Sequence, residues 1–150
     1  MNKLEAARPI VVMDTNVVLD WLVFRNSGCI AVAAAIADGG LRWIATLEMR
    51  EELVQVLASG RLDAWAPNPT TVWRHWRQHC TEVSTPVSAG PPGQLRCSDP
   101  DDQKFIDLAV ASHARWLLSR DRAVRRLATR LRGHGVDVLT PDRWAAQLPV

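Results

Sequence analysis

The stretch that decides the fold is residues 9–22, PIVVMDTNVVLDWL. Residues 9–13 are a short, continuous apolar run rich in β-branched side chains, which is typical of a strand covered on both faces in a parallel sheet. Asp14 ends this run, and from Thr15 onward the apolar residues recur with helical spacing. The stretch therefore predicts a buried strand followed directly by a helix, with an aspartate at the junction.

The rest of the chain continues this alternation of strands and helices. Further strands are predicted at residues 41–45, 116–118 and 136–139, and further helices at residues 31–37, 47–57, 69–80, 100–114, 121–132 and 141–147. Residues 84–97 contain three prolines and two glycines and are predicted to be the one long loop. This order predicts an α/β fold, a three-layer α/β/α sandwich around a central parallel sheet. The length of 150 residues predicts a single domain over residues 1–150.

Composition excludes several classes of protein. Hydrophobic residues make up 47% and charged residues 23%, which is ordinary globular usage, and no apolar run is long enough to span a membrane. The N-terminus lacks the apolar stretch of a signal peptide, so we expect a cytoplasmic protein with no membrane partner. The three cysteines are far apart and favour neither a disulfide framework nor a zinc site.

Two aspartates follow predicted strands. Asp14 comes directly after the first strand, and Asp121 comes three residues after Leu118. In open parallel sheets, functional sites form outside the carboxyl ends of the strands, so acids at these positions are candidates for chemistry. Aspartate is also a favoured helix N-cap, and this structural role is an equally good explanation for each of them alone.

Helical angles distinguish two more acids from their neighbours. In the helix at residues 47–57, Glu52 lies about 85° from the centre of the apolar stripe, whereas Glu48 and Glu51 lie beyond about 120°. In the helix at residues 100–114, Asp102 lies only about 10° from the apolar centre. A carboxylate that faces the core needs a cationic partner, a metal or a raised pKa. Asp102 could instead cap its helix, but Asp99 is better placed for that role.

These four acids predict a cation site if they converge. Like charges 4 Å apart repel by about 4 kcal/mol at an effective dielectric constant near 20, so protons or cations must hold such a cluster together. Oxygen ligands favour Mg²⁺ or Mn²⁺, which serve phosphoryl chemistry. Residues 115–132 contain seven arginines and one acid, a local basic stripe that suits phosphate, although a solvated helix face explains it equally well. Together, the cluster and the stripe predict phosphodiester hydrolysis.

Four motifs carry a resemblance over nearly the whole chain: VVMDTNVVLDWL at 11–22, EELVQVL at 51–57, CSDPDDQKFIDLAVASHARWLLSRD at 97–121 and VLTPDRW at 138–144. In order and spacing they resemble the PIN-domain nucleases, in particular the toxin components of bacterial type II toxin–antitoxin pairs. The resemblance implies a Mg²⁺- or Mn²⁺-dependent endoribonuclease that leaves a 5′-phosphate and a 3′-hydroxyl. It also implies roles for particular residues: catalysis and metal binding by Asp14, Glu52, Asp102 and Asp121, and support by Asn16, Asp99 and Ser119.

Two positions depart from the family pattern. Arg120 stands where a small residue is usual, and Ala123 stands where many relatives have another acid, which bears on a second metal site. We expect Arg120, Arg122 and Arg125 to bind the nucleic acid. The partners implied are RNA, a cognate antitoxin protein and a second copy of the chain. The alternative function is a PIN-like RNA-binding or partner-binding module with little or no hydrolytic activity.

Other side-chain patterns favour structural roles. His75 and His79 have metal-ligand spacing and precede Cys80, but without a further ligand nearby they are interpreted as surface histidines. Trp73 and Trp76 are interpreted as a packing face, in preference to a surface that stacks on bases. A haloacid-dehalogenase-like phosphatase is disfavoured because it needs an acid at the position of Asn16.

Overall fold

A computed structural model describes residues 8–87 and 95–148 of the chain. The strands in these ranges are β1 Ile10–Met13, β2 Arg42–Ala45, β3 Cys80–Glu82, β4 Trp116–Leu118 and β5 Asp137–Leu139. They form one sheet in the order β3-β2-β1-β4-β5, and every neighbouring pair is parallel. Because helices connect and cover these strands, the predicted α/β sandwich with a central parallel sheet is confirmed.

The helices follow the predicted order with altered boundaries. They are α1 Thr15–Leu22, α2 Ile30–Ala37, α3 Leu47–Ala58, α4 Pro69–His79, α5 Gln103–Ala111, α6 Arg122–Arg125, α7 Ala128–Arg132 and α8 Pro141–Ala146, with 3₁₀ turns at Ser27–Cys29, Asp63–Trp65 and Pro100–Asp102. The helix predicted at residues 100–114 thus begins as a 3₁₀ turn. The prediction of one continuous helix at residues 121–132 is wrong: the N–H of Leu127 bonds to the carbonyl oxygen of Val124, three residues back, and the helix divides there.

Among the strands in the described ranges, β3 is the one that the sequence prediction missed. The helix predicted to reach Cys80 ends at His79, and Cys80 adopts an extended backbone that pairs with Trp43 of β2. Strand β3 has three residues and lies at an edge of the sheet, and its half-buried Cys80 is followed by two exposed residues. So short an edge strand offers little hydrophobic pattern to detect.

The core lies on both sides of β1. Val11 and Val12 are fully buried, as are Leu117 and Leu118 in the neighbouring strand β4 and Ile106 in helix α5.

Tryptophan fills the core on the β2 side of the sheet. The buried Trp43 makes edge-to-face contacts with Trp21 and Trp76, at centroid distances of 5.3 and 5.1 Å. The predicted packing role is therefore confirmed: Trp76 is only 5% exposed, and Trp73 is half-buried with one side packed against the core.

The sheet register places polar residues side by side at the carboxyl edge. Met13 of β1 pairs with Leu118 of β4, so the residues that follow them, Asp14 and Ser119, are neighbours. The N–H of Asp14 donates to the carbonyl oxygen of Leu118 at 3.1 Å, which continues the strand pairing one residue further. Because the sheet is parallel, the carboxyl ends of all its strands lie at this same edge.

Two expectations extend beyond the described residues. The middle of the predicted loop, residues 88–94, lies outside them, as do residues 1–7 of the N-terminus. Within the described ranges, no single helix is long and apolar enough to cross a membrane; Thr15–Leu22 and Ser27–Ala37 meet these criteria only as a pair, and they are bent by 105° from one another.

Candidate active site

Asp14 is a buried carboxylate at the centre of the carboxyl edge. It is 3% exposed and is the N-cap of α1, where its Oδ1 accepts a hydrogen bond from the N–H of Val17 at 2.9 Å. Its Oδ2 accepts a hydrogen bond from the hydroxyl of Ser119 at 2.5 Å. Asp14 therefore has the capping role that the sequence allowed, and its second oxygen is also held in place.

Asp121 is held by the same serine. Its N–H donates to Ser119 Oγ at 3.0 Å, and its own Oδ1 caps α6 by accepting from the N–H of Ala123 at 2.8 Å. Ser119 is fully buried, and its hydroxyl links Asp14 to the backbone of Asp121. One buried hydroxyl thus fixes the relative position of two acids from different ends of the sequence.

Asp102 reaches the same edge from the start of α5, a helix that packs against β1 and β4. Asp99 caps the 3₁₀ turn, accepting from the N–H of Asp101 at 3.0 Å, as the sequence predicted. Asp102 is the N-cap residue of α5 but makes no capping hydrogen bond. Its Oδ2 is buried, and no residue in the described ranges donates a hydrogen bond to it while the carboxyl group is ionised. An unsatisfied buried carboxylate oxygen is costly, so this atom is suited to a ligand that supplies positive charge.

Three carboxylates form a compact triad at this edge. Asp99, Asp102 and Asp121 each place one carboxylate oxygen within 4.8 Å of the others. Burial, a hydrogen bond that protonated Asp102 shares with the side chain of Asp121, and the charges of Asp121, Asp99 and Asp14 raise the pKa of Asp102 to about 7. Burial also raises the pKa of Asp14 to about 6, although the hydrogen bonds from Ser119 and Val17 oppose the rise. The triad, with Asp14 beside it, therefore favours either bound protons or a bound cation.

Glu52 lies outside this triad. It is half-buried on α3, and its Oε1 accepts a hydrogen bond from the hydroxyl of Thr15 at 2.9 Å. Its Oε2 forms an ion pair with Nζ of Lys104 at 2.5 Å. Glu48 and Glu51 are exposed, as their helical angles indicated. Glu52 thus faces inward, but the structure joins it to a lysine and does not bring it into the triad.

The remaining predicted residues are distributed around the edge. Arg120 is engaged: its Nε contacts Asp20 Oδ2 at 2.7 Å, and its Nη1 contacts Asp142 Oδ2 at 3.4 Å. Arg122 and Arg125 are exposed on α6. Asn16 is exposed in the first turn of α1, where its predicted supporting role stays a prediction.

Sequence reasoning missed two side chains that shape the site, Thr15 and Lys104. Both bind Glu52, from α1 and α5 respectively. The signals for them were weak: Thr15 follows Asp14 directly, and Lys104 is one of only two lysines in the chain.

The histidine pair is not part of any site that the described residues form. His75 and His79 stack at 5.9 Å on α4, and burial, with His79 and Arg74 nearby, lowers the pKa of His75. Among the described residues, one cluster of at least three acids, histidines or cysteines is compact enough to hold a metal ion, and it is the carboxylate triad. Both histidines are half-buried, not fully exposed as the interpretation of surface histidines expected.

The fold and the triad define a class of protein: an α/β domain with a parallel sheet whose carboxyl edge gathers acids suited to a divalent cation. The sequence also identifies the family within this class. The family model described as PIN domain matches residues 10–123, and the chain belongs to the PIN-domain family. The matched segment contains the triad, Asp14 and Glu52. A search of the curated proteins found no match.

Proposed function

We propose that this protein is a metal-dependent endoribonuclease that hydrolyses RNA phosphodiester bonds. The observation that carries the proposal is the triad of Asp99, Asp102 and Asp121, in which Asp102 Oδ2 is buried without a donor. The PIN-domain match supports a nuclease, since the family is typically metal-dependent and acts on nucleic acid. Oxygen ligands of this kind favour Mg²⁺ or Mn²⁺ over zinc.

The chain's own residues have distinct roles in this proposal. Asp99, Asp102 and Asp121 hold the cation, which when bound supplies charge to the phosphate and lowers the pKa of the attacking water. Ser119 positions Asp14 and Asp121 through its two hydrogen bonds.

Two further acids that the sequence indicated, Asp14 and Glu52, remain proposed members of the catalytic set. Asp14 adds negative charge behind the triad, as its contribution to the raised pKa of Asp102 indicates. Glu52 must exchange Lys104 for the cation before it can bind metal directly.

Substrate binding is assigned to the exposed arginines. Arg122 and Arg125 lie one and four residues after Asp121, on the short helix that it caps. Arginine binds phosphate oxygens bidentately, so these two side chains are suited to contact the RNA backbone beside the scissile bond. Arg120 is less suited, because Asp20 and Asp142 already occupy two of its nitrogens.

Cleavage of a labelled RNA pool tests the function. The wild type should cut it in Mg²⁺ or Mn²⁺ and not in EDTA, leaving 5′-phosphates. Asp102→Asn and Asp14→Asn should lose at least about a hundredfold in rate, the order seen when one charge-stabilising group is removed from an active site. Asp101→Asn is the matched control, because Asp101 adjoins Asp102 but is exposed and outside the triad.

The same experiment separates the alternative function, an RNA-binding module with little hydrolysis. The Glu52–Lys104 pair favours it, because a built-in cation already neutralises one of the expected metal ligands. A wild type that binds RNA but cleaves no faster than Asp102→Asn would establish the binding module and contradict the nuclease.

We further propose that the ribonuclease acts as a toxin. This role is supported by the resemblance of the four motifs to toxin components of toxin–antitoxin pairs, with a cytoplasmic RNA target, a cognate antitoxin and dimerisation as further expectations. Induced expression in a bacterium should arrest growth for the wild type and not for Asp102→Asn. Normal growth with active, soluble wild type would favour a ribonuclease that is not a toxin.

A further inference from the structure

A groove separate from the triad lies at the β3 edge of the sheet. Its volume is about 410 Å³, and its lining residues are Arg50, Trp73, Trp76, Arg77, Cys80 and Glu82. Helix α4 supplies the tryptophans and Arg77, β3 supplies Cys80 and Glu82, and α3 supplies Arg50. A volume of this size is in the range that small ligands occupy.

The aromatic wall of the groove is rigidly supported. Trp73 is half-buried and makes an edge-to-face contact with Trp76 at 6.0 Å. Trp76 is buried, packs on Trp43, and donates its indole N–H to Glu82 Oε1 at 3.0 Å. The Trp73 ring is thus fixed by the core behind it while it lines the groove in front.

The charge of the groove suits an anion. Glu82 is neutralised, because Arg50 Nε lies 2.5 Å from its Oε1. Arg77 is exposed, its Nε donates to the carbonyl oxygen of Trp73 at 3.4 Å, and it forms no ion pair with any residue in the described ranges. Helix α4 contains no acid that could pair with Arg77. The groove therefore combines a fixed aromatic ring with an uncompensated guanidinium.

We infer that this groove binds one unpaired nucleotide of a single-stranded RNA, with the base against Trp73 and a phosphate at Arg77. The inference rests on the proposed function for the class of substrate. Stacking on an aromatic side chain beside a basic group is the common way to hold single strands without base pairing. Glu82 ends β3 at the edge where the triad lies. Asp14 follows β1, two strand spacings from β3, and Asp121 follows β4, three spacings away, so roughly 10–15 Å separate the groove from the acids. One strand of RNA can therefore contact both the groove and the triad.

Affinity for a short fluorescein-labelled single-stranded RNA, measured by anisotropy in EDTA, tests the site without cleavage. Trp73→Leu and Arg77→Ala should each weaken binding by about tenfold, the order expected for one stacked base or one phosphate contact. The matched controls are Trp65→Leu, which removes an exposed tryptophan elsewhere, and Arg74→Ala, which removes the same charge from the same helix. Both controls should stay within about twofold of the wild type.

Two results with these variants would overturn the inference. One is wild-type affinity in Trp73→Leu or Arg77→Ala. The other is an equal loss in Arg74→Ala and Arg77→Ala, which would indicate diffuse charge without a defined groove. Displacement of the RNA by polyglutamate as effectively as by unlabelled RNA would assign the groove to an acidic protein partner instead.

Ultraviolet cross-linking of the wild type gives an answer that does not depend on whether the variants fold. The peptide that contains Trp73 should carry cross-linked RNA, and cross-links confined to α6 and α7 would contradict the inference.

The binding and cleavage experiments together distinguish the failure of the groove from the failure of the nuclease. A wild type that binds RNA through Trp73 but never cleaves it contradicts only the nuclease, whereas one that cleaves and binds equally well in Trp73→Leu contradicts only the groove.

Discussion

At the scale of single residues, Ser119 is the side chain on which the geometry of the site most depends. Its hydroxyl donates to Asp14 and accepts from the N–H of Asp121, and it is fully buried. Ser119→Ala removes both bonds and leaves a buried carboxylate oxygen without its donor. We expect a loss of about 1–3 kcal/mol in the free energy of unfolding, the cost of leaving buried polar groups unpaired.

The same substitution should slow cleavage by about tenfold to a hundredfold, because Asp14 and Asp121 lose their fixed positions. Urea unfolding and the RNA cleavage assay measure the two effects. Ser59→Ala is the control. The Ser59 hydroxyl donates to the carbonyl oxygen of Val56 and accepts from Arg61, but all these groups are exposed at the end of α3, so water replaces the lost bonds and the change should cost only a few tenths of a kcal/mol. Unchanged stability in Ser119→Ala would contradict the role of this hydroxyl.

Asp102 shows the opposite relation between stability and function. Above about pH 7 its carboxylate is ionised next to Asp121, Asp99 and Asp14, and its Oδ2 lacks a donor. Asp102→Asn removes the repulsion with little change in shape. In EDTA at about pH 8 its melting temperature should therefore equal or exceed that of the wild type, by up to about 4 °C for roughly 1 kcal/mol. Differential scanning fluorimetry with Asp101→Asn as control tests this, and a marked fall in melting temperature would show that the carboxylate is structural.

The sequence predicted part of the site from single residues and missed the rest for a physical reason. Strand ends and helical angles selected Asp14, Asp121 and Asp102, because those positions follow from periodicity alone. The same angles correctly turned Glu52 inward but gave no information on its partner. Its pairing with Lys104 and Thr15 depends on how α1, α3 and α5 pack, which no local pattern encodes.

At the scale of elements, Arg120 connects parts of the fold that are distant in sequence. It follows β4 and contacts Asp20 in α1 and Asp142 in α8. The Arg120 side chain is 33% exposed and that of Asp20 only 16%, so this pair is partly shielded from solvent, whereas Asp142 is 59% exposed and adds little. Arg120→Ala should therefore lower the free energy of unfolding by about 1–2 kcal/mol, more than a surface pair and less than a fully buried one.

Arg122→Ala is the matched control for that variant. Arg122 is exposed two residues later, so its removal should change stability by less than about 0.5 kcal/mol but weaken RNA binding. Urea unfolding and RNA anisotropy on both variants compare the two roles. Full stability in Arg120→Ala together with a loss of RNA affinity would show that Arg120 binds RNA, as the sequence pattern alone suggested.

The elements themselves were predictable in proportion to their hydrophobic pattern. Strands β1 and β2 and helices α3 and α5 have long apolar stripes or runs, and they were located to within a few residues. Strand β3 was missed because its pairing with β2 decides its conformation, whereas its own three residues do not. The division between α6 and α7 likewise depends on local backbone bonding at Leu127.

At the scale of the whole molecule, opposite charges are collected in different regions. Acids gather at the middle of the carboxyl edge, whereas arginines that form no ion pair with any described residue lie to either side of it, Arg77 on α4 and Arg122 and Arg125 on α6. A net charge of only +2 conceals this arrangement. Because a polyanion is attracted to the arginines and repelled by the triad until a cation binds, RNA binding and metal binding should favour one another.

The stability of the whole protein should also report the competition between protons and a cation for these acids. In the folded state Asp102 keeps its proton up to about pH 7 and Asp14 up to about pH 6, whereas in the unfolded chain both lose theirs near the ordinary pKa of 3.8. Between these values the folded state binds more protons, so the contribution of these two acids to the free energy of unfolding decreases as the pH rises from about 4 to about 7.

Mn²⁺ binds ionised carboxylates, so its stabilising effect should be larger at about pH 8 than at about pH 5. Thermal unfolding with and without Mn²⁺ measures both effects, and Asp102→Asn should show a flatter pH dependence and a smaller Mn²⁺ shift. A wild type whose stability rises more steeply than that of Asp102→Asn between about pH 5 and 7, or a Mn²⁺ shift that survives the substitution, would contradict the assignment of Asp102 to the cation site.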